Sequence, residues 1–276
     1  MVSAYVDLHL HTRFSDGSDA PAAVVHRAAE LGFRAVAIVD HDTVSGVSEA
    51  ETAAREFRLG FLRGTEVSVT FDRKELHVVG LGIRLDCDPL LAALETLRQH
   101  RAERAAEIFA RLDELGVSIN PEEVKARAGH SAIGRLHIAQ ELHARGVTKT
   151  VQKAFDQYIG SGRGAFIAKE SLPCGEVIDL IHEAGGLAFL AHPGIGVTTQ
   201  KRLPRLLQLP FDGIEVYHSK HTPGQVTAFT ELAKERKLLI SGGSDCHGAA
   251  KGGPPDLGKV RVPYVHFERI LEALGA

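Results

Sequence analysis

The residues best suited to chemistry come in short polar runs. His9-Leu10-His11 is followed by Asp16, and then by Asp40-His41-Asp42, Glu66, His77, His192 and Asp245-Cys246-His247. Alternate residues of a strand share a face, so His9 and His11 point the same way. Imidazoles and carboxylates together suit a borderline divalent cation such as Zn2+, Mn2+ or Fe2+. Taken singly, each fragment reads equally well as polar decoration, a histidine pair on an exposed strand or a solvated carboxylate. Their joint occurrence points to a metal site gathered from most of the chain.

Such a site needs elements that bring its parts together. The apolar runs Ala35–Val39, Leu187–Ala191, Ile214–Tyr217 and Leu238–Ile240 stop at Asp40-His41, His192-Pro193, His218 and the polar stretch Ser241–His247. Buried parallel strands read as apolar runs, and α/β barrels carry their chemistry at the C-terminal ends of such strands. Strand-like and helical segments alternate, which predicts a largely parallel α/β fold. Helices are expected over about 20–31, from Asp88-Pro89 to about Leu115 with Gly116 as the stop, from Asn120-Pro121, over about 132–145, and from Thr222-Pro223 with Thr222 as N-cap. The alternation stops at Asp86 and resumes near Ala165–Ile167. Residues 86–165 therefore read as a helical insertion over the mouth of a barrel built from 1–85 and 166–276, with Gly160-Ser-Gly-Arg-Gly164 as its exit.

The bulk numbers exclude other classes. A chain of 276 residues, 44% hydrophobic and 24% charged, has the make-up of an ordinary globular enzyme. A net charge of −3 gives no electrostatic case for binding long duplex nucleic acid. Cys87, Cys174 and Cys246 are scattered and form no C-x-x-C site or disulfide framework, as in a reducing compartment. Neither a membrane-length apolar run nor a signal peptide is visible, so a cytoplasmic location is expected.

Asp7-Leu-His-Leu-His-Thr12, Ser15-Asp-Gly17, Asp40-His-Asp42, Gly64-Thr-Glu66, Ala191-His-Pro193 and Gly243-Ser-Asp-Cys-His247 closely resemble the motif blocks of the polymerase-and-histidinol-phosphatase (PHP) family of metal-dependent phosphoesterases. The blocks occur in order, from residue 5 to about 258. The resemblance implies a distorted (β/α)7 barrel and three divalent metals per chain, Mn2+ first, with Zn2+ or Fe2+ as alternatives. Carried over by position, it implies that His9, His11, Glu66 and Asp245 hold one metal. Glu66 then bridges to a second, completed by His77 and His192, while Asp16, His41 and His247 hold the third. Water activated between the bridged metals would attack phosphorus in line, with no covalent nucleophile. Asp7, Asp40 and Asp42 would orient ligands or cap turns.

The substrate must be read from other residues. Ile133-Gly-Arg-Leu-His-Ile-Ala139 lies at an expected helix N-terminus, where backbone N–H groups, Arg135 and His137 would hold a phosphate. His218 and His221 follow a strand end and are candidates for protonating the leaving oxygen, His221 also for holding phosphate. Lys169 and Arg163 are candidates for a second phosphate. His26, His100, His143, His182 and His266 fall on expected helices and read as surface or packing residues. A single barrel with a helical insertion after His77 resembles the small bacterial members of the family, the 3′,5′-nucleoside bisphosphate phosphatases and the short-RNA 5′→3′ exonucleases (RNase AM). The leading expectation is hydrolysis of the 3′-phosphate of a nucleoside 3′,5′-bisphosphate. The alternatives are a 5′→3′ exoribonuclease on short 5′-phosphorylated RNA, a histidinol phosphatase, and a binding module that kept the fold without the chemistry.

Overall fold

The computed structural model describes residues 4–129, 131–195, 197–250 and 256–276. The apolar runs become strands of one sheet: β1 (Tyr5–Leu10), β2 (Ala35–Ile38), β3 (Gly60–Phe71), β4 (Lys74–Leu81), β5 (Leu172–Pro173), β6 (Leu187–Leu190), β7 (Gly213–His218), β8 (Leu239–Gly243) and β9 (Val262–Pro263). Apart from the two-residue strands β5 and β9, neighbours in the sheet follow chain order from β1 to β8. The sheet curls until its ends meet. His11 N donates to Cys246 O, and Asp245 N to His9 O, each at 3.0 Å. Gly243 permits this approach, because a Cβ there would collide with Asp7 and His9. The result is a nearly closed α/β barrel, as the sequence predicts.

Two details depart from the expected alternation. β3 and β4 form a hairpin through Asp72-Arg73, both at positive φ as in a type I′ turn. A two-residue turn leaves no length for a crossover, so β4 runs antiparallel to β3 and also to β6. The chain also returns to the sheet later than Ala165–Ile167, which are not a strand. Ala165 and Ile167 pack into a helical core instead, and only β5 rejoins, alongside β3.

Helices α1 (Pro21–Glu30) and α2 (Val47–Glu56) pack beside the first strands. Between β4 and β5 come α3 (Asp88–Glu114), α4 (Pro121–Ala128), α5 (Arg135–Ala144) and α6 (Val151–Ala154), the last running into a π-helical turn, Phe155–Ile159. The chain ends with α7 (Cys174–Glu183), α8 (Val197–Leu206), α9 (Pro223–Arg236) and α10 (Tyr264–Leu274). The caps are those the sequence advertises. Asn120 accepts from Glu122 N at 3.0 Å, and Thr222 with Gln225 forms a capping box on α9. Among the described residues, no helix is long and apolar enough to cross a membrane.

α3 belongs to two cores. Leu90, Leu94 and Leu97 pack with Ile178 and Ile181 in the largest cluster of the barrel. Ala105, Ile108 and Leu112 pack instead with Val124, Ile138, Leu142 and Ile159. The chain leaves the sheet after Leu81, at the end of β4, and the second core starts about halfway along α3. Each fully buried leucine contributes about 1.5–3 kcal/mol, so the first turns of α3 fix the helical segment firmly to the barrel.

Candidate metal centre

Strand pairing brings the polar runs to one end of the barrel. Asp42 N donates to Glu66 O at 2.9 Å and Glu66 N to Asp40 O at 3.2 Å, which sets His41 beside Glu66. His77 stands opposite Ser68 in the hairpin, on the same face as Glu66 two residues away. Glu66 thereby becomes the hub. Its Oε2 lies 3.3 Å from His9 Nε2, 3.2 Å from His11 Nε2 and 3.1 Å from His41 Nδ1. Its Oε1 lies 2.9 Å from His77 Nδ1 and 2.8 Å from His192 Nε2. Asp245 Oδ1 is 3.2 Å from His11 Nε2, and Asp16 Oδ1 is 3.0 Å from His247 Nε2 and 3.9 Å from His41 Nε2. The structure therefore gathers all of the expected ligand residues.

These atoms are arranged for a cation. His9 Nδ1 donates to Glu215 Oε1 at 2.7 Å, which leaves its Nε2, 3.0 Å from His11 Nε2, as the nitrogen available to a metal. His41 Nδ1 is buried without a hydrogen bond. Three groups can each converge on a point: His9, His11 and Glu66; His41, Glu66 and His77; and His11, Asp16, His41 and His247. Within each group the ligand atoms lie within 4.8 Å of one another. Electrostatics agree. Burial opposes charge on His11 and His77, yet the carboxylates beside them push both up to about 9. Burial would likewise raise the Glu66 carboxyl, but His41, His77 and His9 hold it well below its usual range. A pocket that attracts positive charge this strongly, with imidazole and carboxylate donors, fits divalent Zn2+, Mn2+ or Fe2+.

The neighbouring aspartates brace this cluster. Asp40 accepts from Thr12 N at 2.7 Å, Thr12 Oγ1 at 2.6 Å and Ser15 Oγ at 2.5 Å, fixing the loop after His11. Asp7 accepts from Ser244 N at 3.0 Å and ties β1 to the segment carrying Asp245; burial pushes its carboxyl up to about 6. Asp42 accepts from Ser68 N at 2.7 Å and from Arg101 of α3 at 2.7 Å.

A cavity of about 200 Å³ opens next to the cluster, between the barrel and the helical segment. Asp16, His41 and His77 line one side, and Arg101, Arg104, Arg135 and His137 the other. Arg135 is the first residue of α5 and lies over the Phe166 ring at 5.8 Å. His137 Nδ1 accepts from Gly134 N at 3.1 Å, so one of its nitrogens caps α5. Arg104 Nε donates to Ile167 O at 3.0 Å, while its Nη2 is buried with no hydrogen bond. Burial and then the charge of Arg135 push Arg104 down to about 10.

Three expected substrate residues stand differently. Lys169 is buried against Ser68, with Asp42 at 3.5 Å and Glu75 at 3.6 Å, so these carboxylates already neutralise it. His221 has both ring nitrogens engaged by backbone: Nδ1 donates to Val216 O at 2.8 Å and Nε2 accepts from Gly194 N at 3.1 Å. It ties strand β7 to the loop at Gly194, and a Cβ on Gly194 would strike its ring. Arg163 is exposed and does not line the cavity. His218, by contrast, is buried beside the cluster. Its Nδ1 accepts from Lys220 N at 3.1 Å, which leaves the proton on Nε2, 3.4 Å from Asp245 Oδ2. Sequence reading overlooked Glu215, Arg101 and Arg104. The signal for Glu215 was a charged residue inside the apolar strand Gly213–His218, a place where such residues are almost never buried without a partner.

Comparison with known proteins agrees with this geometry. The PHP domain model matches residues 7–213. A 3′,5′-nucleoside bisphosphate phosphatase of Chromobacterium violaceum is 34% identical over 91% of this chain and 90% of its own length. A 5′-3′ exoribonuclease of Haemophilus influenzae is 35% identical over 87% of this chain and 89% of its own. A solved structure from Bifidobacterium adolescentis, assigned as a metal-dependent phosphoesterase, superposes with a TM-score of 0.87 at 31% identity, over 97% of this chain and 96% of that one. With its ligand-rich barrel end and these matches, the chain belongs to the PHP family and is a metal-dependent phosphoesterase, a hydrolase.

Proposed function

We propose that the protein removes the 3′-phosphate from nucleoside 3′,5′-bisphosphates such as adenosine 3′,5′-bisphosphate. His9, His11, Glu66 and Asp245 hold one divalent metal; Glu66, His77 and His192 hold a second; Asp16, His41 and His247 hold a third. Bound there, manganese, or in its place zinc or iron(II), supplies an activated water and takes up charge on the phosphoryl oxygens. His218, buried with its Nε2 3.4 Å from Asp245 Oδ2, is the candidate for protonating the leaving oxygen.

The observation that carries the bisphosphate reading is that one cavity has two unlike walls, ligand residues on one side and Arg104 with Arg135 on the other. Burial and the charge of Arg135 weigh on Arg104, with the Glu75 carboxylate offsetting part of this, and Arg104 Nη2 has no hydrogen bond. A second phosphate between the two arginines relieves both conditions through charge-assisted hydrogen bonds. His137 lines the same wall. Lys169, already paired, shapes the site rather than binding the phosphate.

A second reading is a 5′→3′ exoribonuclease on short 5′-phosphorylated RNA. It is favoured by the exoribonuclease relative, as similar to this chain as the phosphatase relative. One assay separates the two. Metal-loaded protein is given adenosine 3′,5′-bisphosphate, a short 5′-phosphorylated RNA and histidinol phosphate. Inorganic phosphate released from the bisphosphate alone is the expected result. Mononucleotides released from the RNA with the bisphosphate left intact would overturn the leading reading in favour of the second.

A further inference from the structure

We infer that Glu215 is a positioning residue that locks ligands of two different metals into one geometry. The inference rests on the ligand sets proposed above. Glu215 lies in the middle of β7 and is fully buried. Each of its oxygens accepts one hydrogen bond. Oε1 receives the His9 Nδ1 proton at 2.7 Å, and Oε2 receives the backbone N–H of His192 at 2.8 Å. The first bond commits Nδ1 to Glu215, so that Nε2, which faces His11 and Glu66, is the nitrogen left to hold a metal. The second holds His192 at a backbone φ of 27°, a left-handed conformation that a non-glycine residue keeps only when its surroundings impose it. One carboxylate thus sets a ring on β1 and a backbone at the end of β6, and through them two metal positions that share Glu66.

Both partners are donors, so the role demands two acceptors. A glutamine at this place has one. Its NH2 group must face either His192 N–H or His9 Nδ1, and in the second case the His9 proton moves to Nε2, the atom needed for the metal. An aspartate keeps both acceptors on a shorter stem.

The test loads the full-length protein with Mn2+ and measures metal per chain and apparent affinity, with circular dichroism and thermal unfolding as checks on folding. Glu215→Gln is expected to weaken metal binding by about 10- to 100-fold while the fold survives, and Glu215→Asp to recover part of the loss. In the wild type, nitrogen-15 spectra of the imidazoles are expected to place the His9 proton on Nδ1, a reading that needs no variant. Wild-type metal content and affinity in Glu215→Gln, or the His9 proton on Nε2 in the wild type, would overturn the inference. A wild type that binds fewer than two Mn2+ would instead overturn the ligand sets themselves, and this inference with them.

Discussion

The barrel end and the helical segment hold their polar residues in opposite ways. At the barrel end the side chains are short, sit at strand ends and are fixed by the backbone: Asp42, His192 and Asp245 all have positive φ. Such conformations cost about 1–3 kcal/mol each and persist only where the surroundings over-determine them. In the helical segment the polar residues on the cavity are mostly long arginines from α3 and α5, with His137, on helices that share a separate core from Ala105 onward. Long side chains adjust, and short ones on strained strand ends do not. On the proposed function, this difference corresponds to reaction chemistry at the barrel end and substrate choice in the helices.

The largest expected effect tests the barrel half of this division. Glu66→Ala removes the oxygens shared by His9, His11, His41, His77 and His192, and hydrolysis of every phosphoester should be lost together with bound metal. Chelation of the wild type should do the same, reversibly. A variant that still turned over any one substrate would break the division.

Next in size is the seam. Asp42 is buried between Arg101 of α3 and Lys169, and its carboxyl is held well below the usual range because those two cations outweigh its burial. Asp42→Ala leaves the buried Arg101 without its carboxylate and Lys169 with Glu75 alone, and should cost about 3–5 kcal/mol. Thermal unfolding should show a fall of roughly 10 °C. A shift near zero would mean the two regions are not joined there.

Arg135→Ala sharpens the helical half. Losing one charge-assisted phosphate contact is worth about 1.5–3 kcal/mol, so KM for a bisphosphate should rise tenfold or more. A monoester with a single phosphate should show little change. Equal losses on both substrates would place Arg135 in the reaction rather than in selection. The smallest effect belongs to the outer face, where the Arg205–Asp72 pair is largely exposed on the arginine side. Arg205→Ala should change stability by no more than about 1 kcal/mol and leave kcat and KM alone.

Legibility in the sequence follows the same division. The ligand residues stand out because strand ends interrupt apolar runs with polar ones, and a strand's period of two keeps His9 and His11 on one face. Helices were legible from their punctuation, Pro89, Pro121 and Pro223 at the starts and Gly116 at a stop. The β3–β4 hairpin was not, because Asp72-Arg73 lacks the Asn-Gly or Asp-Gly pair that usually marks a type I′ turn. His221 was placed at the right strand end, but its ring is turned by Val216 O and Gly194 N, backbone atoms no side-chain pattern reveals. Arg101 and Arg104, at i and i+3 on a long helix, look like an ordinary solvated face until the cavity is seen.

The double grip on Asp42 has a consequence for how such a protein can change over generations. Arg101 lies near the start of the excursion from the sheet, and Lys169 near its end, yet both close on the same carboxylate. Closing a longer loop costs only about 0.6 kcal/mol for each doubling of its length. With its base already sewn shut, the stretch between those two residues is free to grow, shrink or be exchanged, and the loop that carries His41 need not register the alteration. On the proposed function, substrate choice could then change by editing one stretch of chain while the residues of the metal cluster stay as they are.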